Sequence, residues 1–213
     1  NNILLGRITI DDVVDIIRAQ AEHQALGAAG LDEEEDLFSP IKRAVRGRVV
    51  WLGINLCTAF LAASVIGQFE LTLQKVVALA VLMPIVAGVG GNAAVQVLTL
   101  MVRGIALGQV GQSNARILLW KEMRVALING TLIGTVVGLI AFVWFQSILL
   151  SVVITLALII NFCAAALAGV LLPLLLKRMN VDPAVAGTVV VTAVTDVMGF
   201  FSFLGLATLI LLH

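Results

Sequence analysis

Residues 125–176 contain no Asp, Glu, Lys or Arg, and no other feature of the chain restricts its fold as strongly. A transmembrane helix needs about 20 mostly apolar residues. The stretch is therefore long enough for two spans, joined by a tight turn at the polar pair Gln146 and Ser147. Composition agrees, because 61% of the residues are hydrophobic and 12% are charged, against about 25% charged in soluble domains. These features predict an all-α integral membrane protein.

Three further apolar stretches bring the number of predicted spans to five. They run over about Val49–Phe69, Val76–Val102 and Ala184–Leu212. An odd number of spans excludes a repeat of two equal inverted halves within the chain. A pore is then expected between chains, at the interface of a homodimer, because two-fold dimers are the commonest oligomers.

Basic residues mark the membrane edge that we expect to face the cytoplasm. They precede span one, separate span two from span three, and follow span four. The opposite connections carry only Lys75, beside Glu70, and the uncharged pair Gln146 and Ser147. This bias predicts a cytoplasmic N-terminus and an extracytoplasmic C-terminus. The basic residues are Lys42, Arg43, Arg46, Arg48, Arg103, Arg116, Lys121, Arg124, Lys177 and Arg178.

The N-terminal segment differs from the rest of the chain. Leu4–Ile10 is predicted to form a short strand, and Asp11 or Asp12 to cap a helix that ends near Leu26. One strand and one helix cannot bury a core, so we expect them to be the end of a missing upstream soluble domain. The predicted division is a cytosolic remnant over 1–26, a linker with a basic amphipathic helix over 27–48, and a five-helix transmembrane domain over 49–213.

Within the linker, Gly27 and Gly30 mark a break in the chain before an acidic run over residues 32–36. Ser39 and Pro40 are predicted as the N-cap and first-turn residue of the basic amphipathic helix that leads into span one. The acidic run, with Glu33, Glu34 and Asp36, is either an ordinary solvated face or a sensor for divalent cations. Both interpretations stay open.

Asp196 is the only ionisable residue between Ala184 and Leu212, and it lies near the middle of span five. A carboxylate at that depth costs several kcal/mol unless water, a partner or a cation meets it, and it marks a functional site by default. Thr192 lies one turn earlier, and Gly199, three residues later, is expected to leave open space. Oxygen ligands without His or Cys disfavour zinc and soft metals and suit Mg²⁺ that keeps its water. The alternatives are a structural acid bonded to a neighbouring helix and a proton carrier.

Span two contains the second unusual feature, a run with Pro84 followed by Gly88, Gly90 and Gly91 near the expected bilayer centre. If the helix opens there, free carbonyls would face a cavity and attract a cation. The alternative is that the glycines allow close helix packing. Beyond them, Asn92 and Gln96 are four residues apart and present amide oxygens on one helical face.

Other classes of function find no support in the sequence. There is no nucleophile beside a base, no HExxH helix and no phosphate-binding glycine loop, so no enzyme is predicted. The basic residues are scattered at membrane boundaries, which disfavours nucleic-acid binding. Cys57 and Cys163 are expected to be packing residues, and Asn55, Asn129 and Asn161 to hold helices together.

Several separate motifs give the chain a family resemblance. They are the run Leu37–Arg48, the stretch Met83–Gln96 with MPIVAGVGGNAAVQ, Arg103 with Gly104, the pair Asp182 and Pro183, and Thr195–Leu204 with TDVMGFFSFL. Together they resemble the MgtE family of magnesium channels, from about Gly6 to the C-terminus. The resemblance implies a homodimer with an ion path lined by spans two and five.

The resemblance also implies roles for individual residues. Asp196 would hold a hydrated Mg²⁺, Thr192 would add oxygen to that site, and Asn92 and Gln96 would face the pore, which Gly88 and Gly91 would also line. The N-terminal remnant would be the end of a CBS domain pair and the amphipathic helix the plug. In the family these parts bind Mg²⁺ and close the pore, with the loop acid Asp182 as a further regulatory position. The chain departs from the family at Ala94 and Val95, where a glycine and a hydroxyl residue are common.

From these features we expect a Mg²⁺ channel in the plasma membrane that moves the ion down its electrochemical gradient. One alternative is a carrier of divalent cations coupled to protons or sodium. Another is a membrane sensor subunit that does not transport. The sequence does not separate Mg²⁺ from Co²⁺, Mn²⁺ or Ni²⁺.

Overall fold

The computed structural model describes residues 9–31, 38, 40–111 and 114–212. All regular structure within these residues is helical, which confirms the predicted all-α class. The predicted strand over Leu4–Ile10 lies almost wholly outside the described residues, and Ile10 itself opens a helix. The helices are α1 (Ile10–Ala28), α2 (Ile41–Gln68), α3 (Glu70–Lys75), α4 (Ala78–Ala106), α5 (Ala115–Phe145), α6 (Ile148–Arg178) and α7 (Pro183–Leu211).

Five of these helices are long and apolar enough to cross a membrane, as predicted. The spans are Ala44–Gln68 of α2 and the whole of α4, α5, α6 and α7. The short helix α3 between the first two spans was not predicted. It is held by a hydrogen bond of 2.8 Å between the hydroxyls of Thr72 and Thr208, which attaches it to the C-terminal end of α7.

Both predicted helix starts in the N-terminal part are displaced. Thr9 is the N-cap of α1, and Asp12 is the third helical residue, whose carboxylate accepts hydrogen bonds from the Thr9 backbone N–H and hydroxyl at 2.7 and 2.8 Å. The prediction of Asp11 or Asp12 as the cap is therefore wrong. Pro40 occupies the N-cap position of α2, not its first turn, and Ser39 lies outside the described residues. From Ile41 the helix continues without a break into span one.

The tight turn between spans three and four is where the sequence predicts it. Gln146 ends α5 in the left-handed conformation with φ 50°, and the Ser147 hydroxyl accepts a bond from the Leu150 amide to begin α6. Small residues on α5 then let the two helices approach closely. The Thr155 hydroxyl of α6 donates to the carbonyl of Gly134 at 3.0 Å, so the pair is joined by a polar contact as well as by packing.

Helix α6 lies at the centre of the molecule and packs against α4, α5 and α7. In the most apolar 18-residue stretch of α6, 50% of the residues are buried, whereas the figure for α2 is 6%. Helix α2 lies at the periphery and packs mainly against α7. The largest cluster of buried side chains joins α4, α6 and α7 through residues such as Leu82, Ile154, Leu158 and Phe203. The core therefore fixes α4 and α7, the two helices that carry the predicted site, against one rigid neighbour.

The helix ends gather at two edges of the bundle. At one edge, which we call the basic edge, the C-terminal ends of α4 and α6 lie beside the N-terminal end of α5, since Val110, Ala115 and Lys177 line one cleft. The N-terminal end of α7 lies there too, because only residues 179–182 connect it to the end of α6. The opposite edge holds α3 and the C-terminal end of α7. The predicted charge bias is thus a property of one edge of the fold.

Candidate functional site

Asp196 lies one residue before Val197, the middle residue of the 29-residue helix α7. Its side chain is half-buried, and it makes no hydrogen bond or salt bridge with any residue that the structure describes. The interpretation of Asp196 as a structural acid bonded to a neighbouring helix therefore finds no partner in the described part of the chain. An unpaired carboxylate near the middle of a span is the arrangement expected of an ion or proton site.

Helices α4 and α7 run antiparallel, and three contacts set their register. A Cβ atom built on Gly187 would lie 2.8 Å from Leu98, and one built on Gly199 would lie 3.2 Å from Val86. Between these, a Cβ on Gly91 would lie 3.8 Å from the methyl of Thr192. In each pair, the number of the α7 residue and the number of the α4 residue add up to about 285. A residue of α4 and a residue of α7 therefore lie at about the same depth when their numbers add up to that value.

This register places Asp196 level with Gly88 and its neighbour on α4, and Thr192 level with Asn92, one turn closer to the basic edge. Gly88 and Asn92 are exposed in the single chain, and a Cβ on Gly88 would meet no atom within 4 Å. The structure thus brings five of the predicted site residues to two neighbouring levels of adjacent helices, because Gly91 also lies against Thr192. Gln96, also exposed, lies a further turn towards the basic edge.

The Thr192 hydroxyl donates its proton within its own helix, to the carbonyls of Thr188 and Val189 at 2.9 and 3.1 Å. A hydroxyl that donates in this way keeps oxygen lone pairs for another ligand. Thr192 can therefore act as an acceptor towards a cation or its bound water. An oxygen acceptor of this kind is suited to a cation site beside the Asp196 carboxylate.

The expectation that span two opens at its glycines is wrong. Helix α4 is continuous from Ala78 to Ala106, with Pro84 inside it. Gly90 is needed for close packing, because a Cβ there would collide with the side-chain amide of Asn161 on α6. The alternative of close helix packing therefore holds at Gly90, and the helix does not open at its glycines.

Gly199 does not leave open space beside Asp196 either. A Cβ atom at Gly199 would lie 2.7 Å from Nδ2 of Asn161, so the glycine makes room for that amide. Asn161 is fully buried, and its Nδ2 donates to the Val86 carbonyl at 3.0 Å. Its predicted role in holding helices together is confirmed. Its Oδ1 has no hydrogen-bond partner among the described residues.

A buried acid was not among the residues singled out from the sequence. Glu122 on α5 is 6% exposed, and its carboxylate lies 3.3 Å from the ammonium of the exposed neighbour Lys121. It lines a cavity of about 110 Å³ together with Gln96 and Asn129. The signal was present in the sequence, since Glu122 is the only acid among the basic residues between spans two and three. Gln96 thus faces α5 as well as the exposed side of α4.

Of the predicted regulatory residues, only Asp182 belongs to the described part of the chain. Asp182 is the N-cap of α7, where its carboxylate accepts a bond of 2.8 Å from the Ala184 amide. Glu33, Glu34 and Asp36 lie outside the described residues. Among the residues with described positions, no three His, Cys, Asp or Glu side chains cluster in a way that could hold a metal. One chain therefore offers Asp196 as a single carboxylate with neutral oxygens nearby, which suits a hydrated cation better than a stripped one.

Comparisons with known proteins agree with this chemistry. The family model described as MgtE, divalent cation transporter, matches residues 83–206, which include every residue of the site on α4 and α7. The chain is 34% identical over 98% of its length to the magnesium transporter MgtE of Thermus thermophilus. It is 32% identical over 97% of its length to that of Enterococcus faecalis, and 29% identical over 98% to that of Bacillus subtilis.

These matches cover only part of each relative. The aligned region is 46%, 45% and 46% of the three transporters, so the chain spans about half the length of the curated relatives that it matches.

Proposed function

The chain belongs to the MgtE family of divalent cation transporters, and from this premise we propose that it conducts hydrated Mg²⁺ through a pore centred on Asp196. The observation that carries the proposal is the half-buried carboxylate near the middle of α7, which has no partner among the described residues. The relatives named as magnesium transporters support Mg²⁺ as the ion.

The proposed mechanism keeps water on the ion. Mg²⁺ gives up its water reluctantly and is usually bound through one or two carboxylates with several waters retained. Asp196 would attract the hydrated ion by charge, and Thr192 and Asn92, one turn closer to the basic edge, would accept hydrogen bonds from its water. The exposed side chain of Asn92 on α4 supports this path, since it would otherwise meet hydrocarbon.

We propose a homodimer in which α4 and α7 of each chain line one shared pore. Two Asp196 carboxylates near a two-fold axis would repel each other when empty, and a divalent cation between them relieves that repulsion. The single carboxylate per chain supports this arrangement, because one subunit alone supplies too little negative charge for a divalent ion. The resemblance to the family leads to the same expectation.

The membrane potential would drive the ion inward. A divalent ion gains about 4.6 kcal/mol from 100 mV, twice the value for a single charge. The gathering of Lys and Arg at the basic edge favours the cytoplasmic side for that edge, so the path beyond Gln96 would open inside the cell. We propose the plasma membrane as the location.

The regulatory part of the proposal is carried by the family resemblance alone. An upstream cytosolic domain of the same chain, whose CBS domain pair would end in residues 1–26, would bind Mg²⁺ and close the pore through the linker helix. Asp182 and the acidic residues Glu33, Glu34 and Asp36 are the proposed regulatory positions. Such a role would be additional to the cap that Asp182 supplies to α7.

The proposal is tested by Mg²⁺ uptake into proteoliposomes under a membrane potential, with the proton and sodium gradients collapsed. The unaltered protein should conduct, whereas Asp196→Asn should reduce uptake at least about tenfold while leaving the dimer folded. Glu70→Gln at the opposite edge is the matched control, because it removes an equal charge from an exposed helix.

Uptake that stops when the gradients are collapsed would identify a coupled carrier. No uptake at any potential would favour a sensor subunit. Equal uptake by Asp196→Asn and the unaltered protein would reject the proposed site. Competition with Co²⁺, Mn²⁺ and Ni²⁺ in the same assay measures selectivity.

A further inference from the structure

A cleft of about 660 Å³ opens at the basic edge, away from Asp196. One wall is the last two turns of α6, and the other is the loop after α4 with the first residue of α5. The lining is apolar except at the end of α6, where it includes the cationic side chains of Lys177 and Arg178. The wall residues include Val110, Gly111, Ala115, Leu171, Leu175, Lys177 and Arg178.

The order of the residues on α6 matches the layers of a membrane. Leu171 and Leu175 are one turn apart on one face and about half exposed, and Arg178 follows three residues later on that face. Helix α6 has 31 residues and is about 46 Å long, whereas the hydrocarbon core is about 30 Å thick. Lys177 and Arg178, at its very end, therefore lie at headgroup depth, Leu171 lies in the acyl region, and Leu175 lies near the border between the two.

The two cations are free to bind an anion. Neither the Lys177 side chain nor the Arg178 side chain makes a hydrogen bond or ion pair with any other residue whose position is described. Cations in the last turn of a helix interact favourably with the helix dipole. This interaction accounts for Lys177 and Arg178 at the end of α6, but not for the cleft beside them. The first turn of α5 begins at Ala115 in the same cleft and offers backbone amides to an anion.

Several described residues of the opposite wall are fixed by hydrogen bonds. Gly108 takes the left-handed conformation with φ 68°, which turns the chain so that the Val110 amide bonds back to the carbonyl of Gly104 at 3.1 Å. The Asn114 side chain then accepts from the Gly111 amide at 2.9 Å and donates to the Gln109 carbonyl at 2.7 Å. The cleft therefore has two defined sides.

We propose that this cleft binds one anionic phospholipid, with its phosphate held by Lys177 and Arg178 and an acyl chain along Leu171 and Leu175. Basic clefts between membrane helices are suited to anionic headgroups by charge. Each chain of a membrane-embedded oligomer would hold its own lipid at the basic edge. The site is separate from the proposed ion path, and its occupancy can be measured without transport.

The test is native mass spectrometry of the purified protein with equal amounts of phosphatidylglycerol and phosphatidylcholine. The unaltered protein should retain phosphatidylglycerol in about tenfold preference, and Lys177→Gln/Arg178→Gln should lose that preference. Arg103→Gln/Arg116→Gln is the matched control. It removes two charges from the same edge, and neither residue lines the cleft.

Four results would overturn the proposal. They are equal retention of the two lipids by the unaltered protein, preference retained in Lys177→Gln/Arg178→Gln, an equal loss in the control, and displacement of the lipid by millimolar inorganic phosphate, which would indicate a site for free anions. Size-exclusion chromatography and circular dichroism check that each variant folds. Should the double variant fail to fold, Lys177→Gln and Arg178→Gln are measured singly, each with an expected loss of about threefold or more.

Discussion

The side-chain amide of Asn161 on α6 donates a hydrogen bond of 3.0 Å to the backbone carbonyl of Val86 on α4. The contact lies two residues after Pro84, and glycines on α4 and α7 provide the space for it. One residue from the central helix thereby fixes the distance between the two helices that carry the proposed ion path.

Replacing Asn161 by Ala should destabilise the fold by about 1 to 2 kcal/mol. Interhelical hydrogen bonds in membrane proteins contribute on average about 0.6 and at most about 1.7 kcal/mol, and the removed side chain also leaves a small void. Unfolding in a denaturing detergent, followed by circular dichroism, measures the change. Asn55→Ala, an exposed asparagine of α2, is the control and should change the stability by less than about 0.5 kcal/mol. Equal effects of the two substitutions would contradict this role for Asn161.

Gly90→Ala should destabilise the protein by about 1 to 3 kcal/mol, because its methyl group would collide with the Asn161 amide. Gly88→Ala, two residues earlier and facing open space, should leave the stability unchanged or slightly higher. The double variant Gly90→Ala/Asn161→Ala separates this clash from other causes. Its loss should be smaller than the sum of the single losses, since the small side chain at 161 makes room for the methyl. Strict additivity would show that the two residues do not interact.

Glu122 and Lys121 should respond in opposite directions. Glu122→Gln keeps the shape of the buried side chain and removes a charge that is costly to bury, so the stability should rise by about 1 kcal/mol. Lys121→Gln leaves that carboxylate without its cation at 3.3 Å and should lower the stability by less than about 1 kcal/mol, because Lys121 is 66% exposed. Thermal unfolding in detergent measures both. A loss in both variants would mean that the charge of Glu122 has a further partner.

The start of α1 should depend on pH through Asp12. The backbone N–H and the hydroxyl of Thr9 donate to its carboxylate and hold the pKa of Asp12 below its usual range. A depressed folded-state pKa means that this stabilisation is fully present above the unfolded-state pKa of Asp and is lost as the pH falls through the folded-state value. A carbon-13 NMR titration of the labelled carboxyl measures the midpoint. Thr9→Ala removes the hydroxyl bond and should raise the midpoint towards the usual value, whereas an unchanged midpoint would contradict the assignment.

The spans and their connections could be predicted because they depend on length and charge alone. Residues 125–176 are too long for a single transmembrane helix, so they are expected to form two helices with a turn near Gln146. The structure has a turn at that position. The basic residues likewise gather at one edge. Asp196 could be singled out because a carboxylate in an apolar stretch is conspicuous without any knowledge of its neighbours.

The local shape of span two could not be predicted, because it depends on a residue far along the chain. Pro84 and the three glycines suit an open helix or a closely packed one equally well. Asn161 decides between them by filling the space at Gly90 and bonding to Val86, and the same amide occupies the space at Gly199. No periodicity in the sequence pairs residue 161 with residues 86, 90 and 199. Glu122 was missed for a related reason, since its burial depends on how α5 packs against α4 and α6.

Because Gly88 and Asp196 lie at equal depth, a change at position 88 would affect the proposed ion path beside the carboxylate. In the proposed two-fold assembly every wall residue is present in duplicate, on opposite sides of the same ring. A single added methyl at position 88 would narrow the opening from both sides at once, beside the two carboxylates. Because Gly88 has no side chain, the backbone of α4 at that level would set how many water molecules the ion can keep. A mutation of Gly88 would then change which ions pass through the pore more readily than it would change the fold.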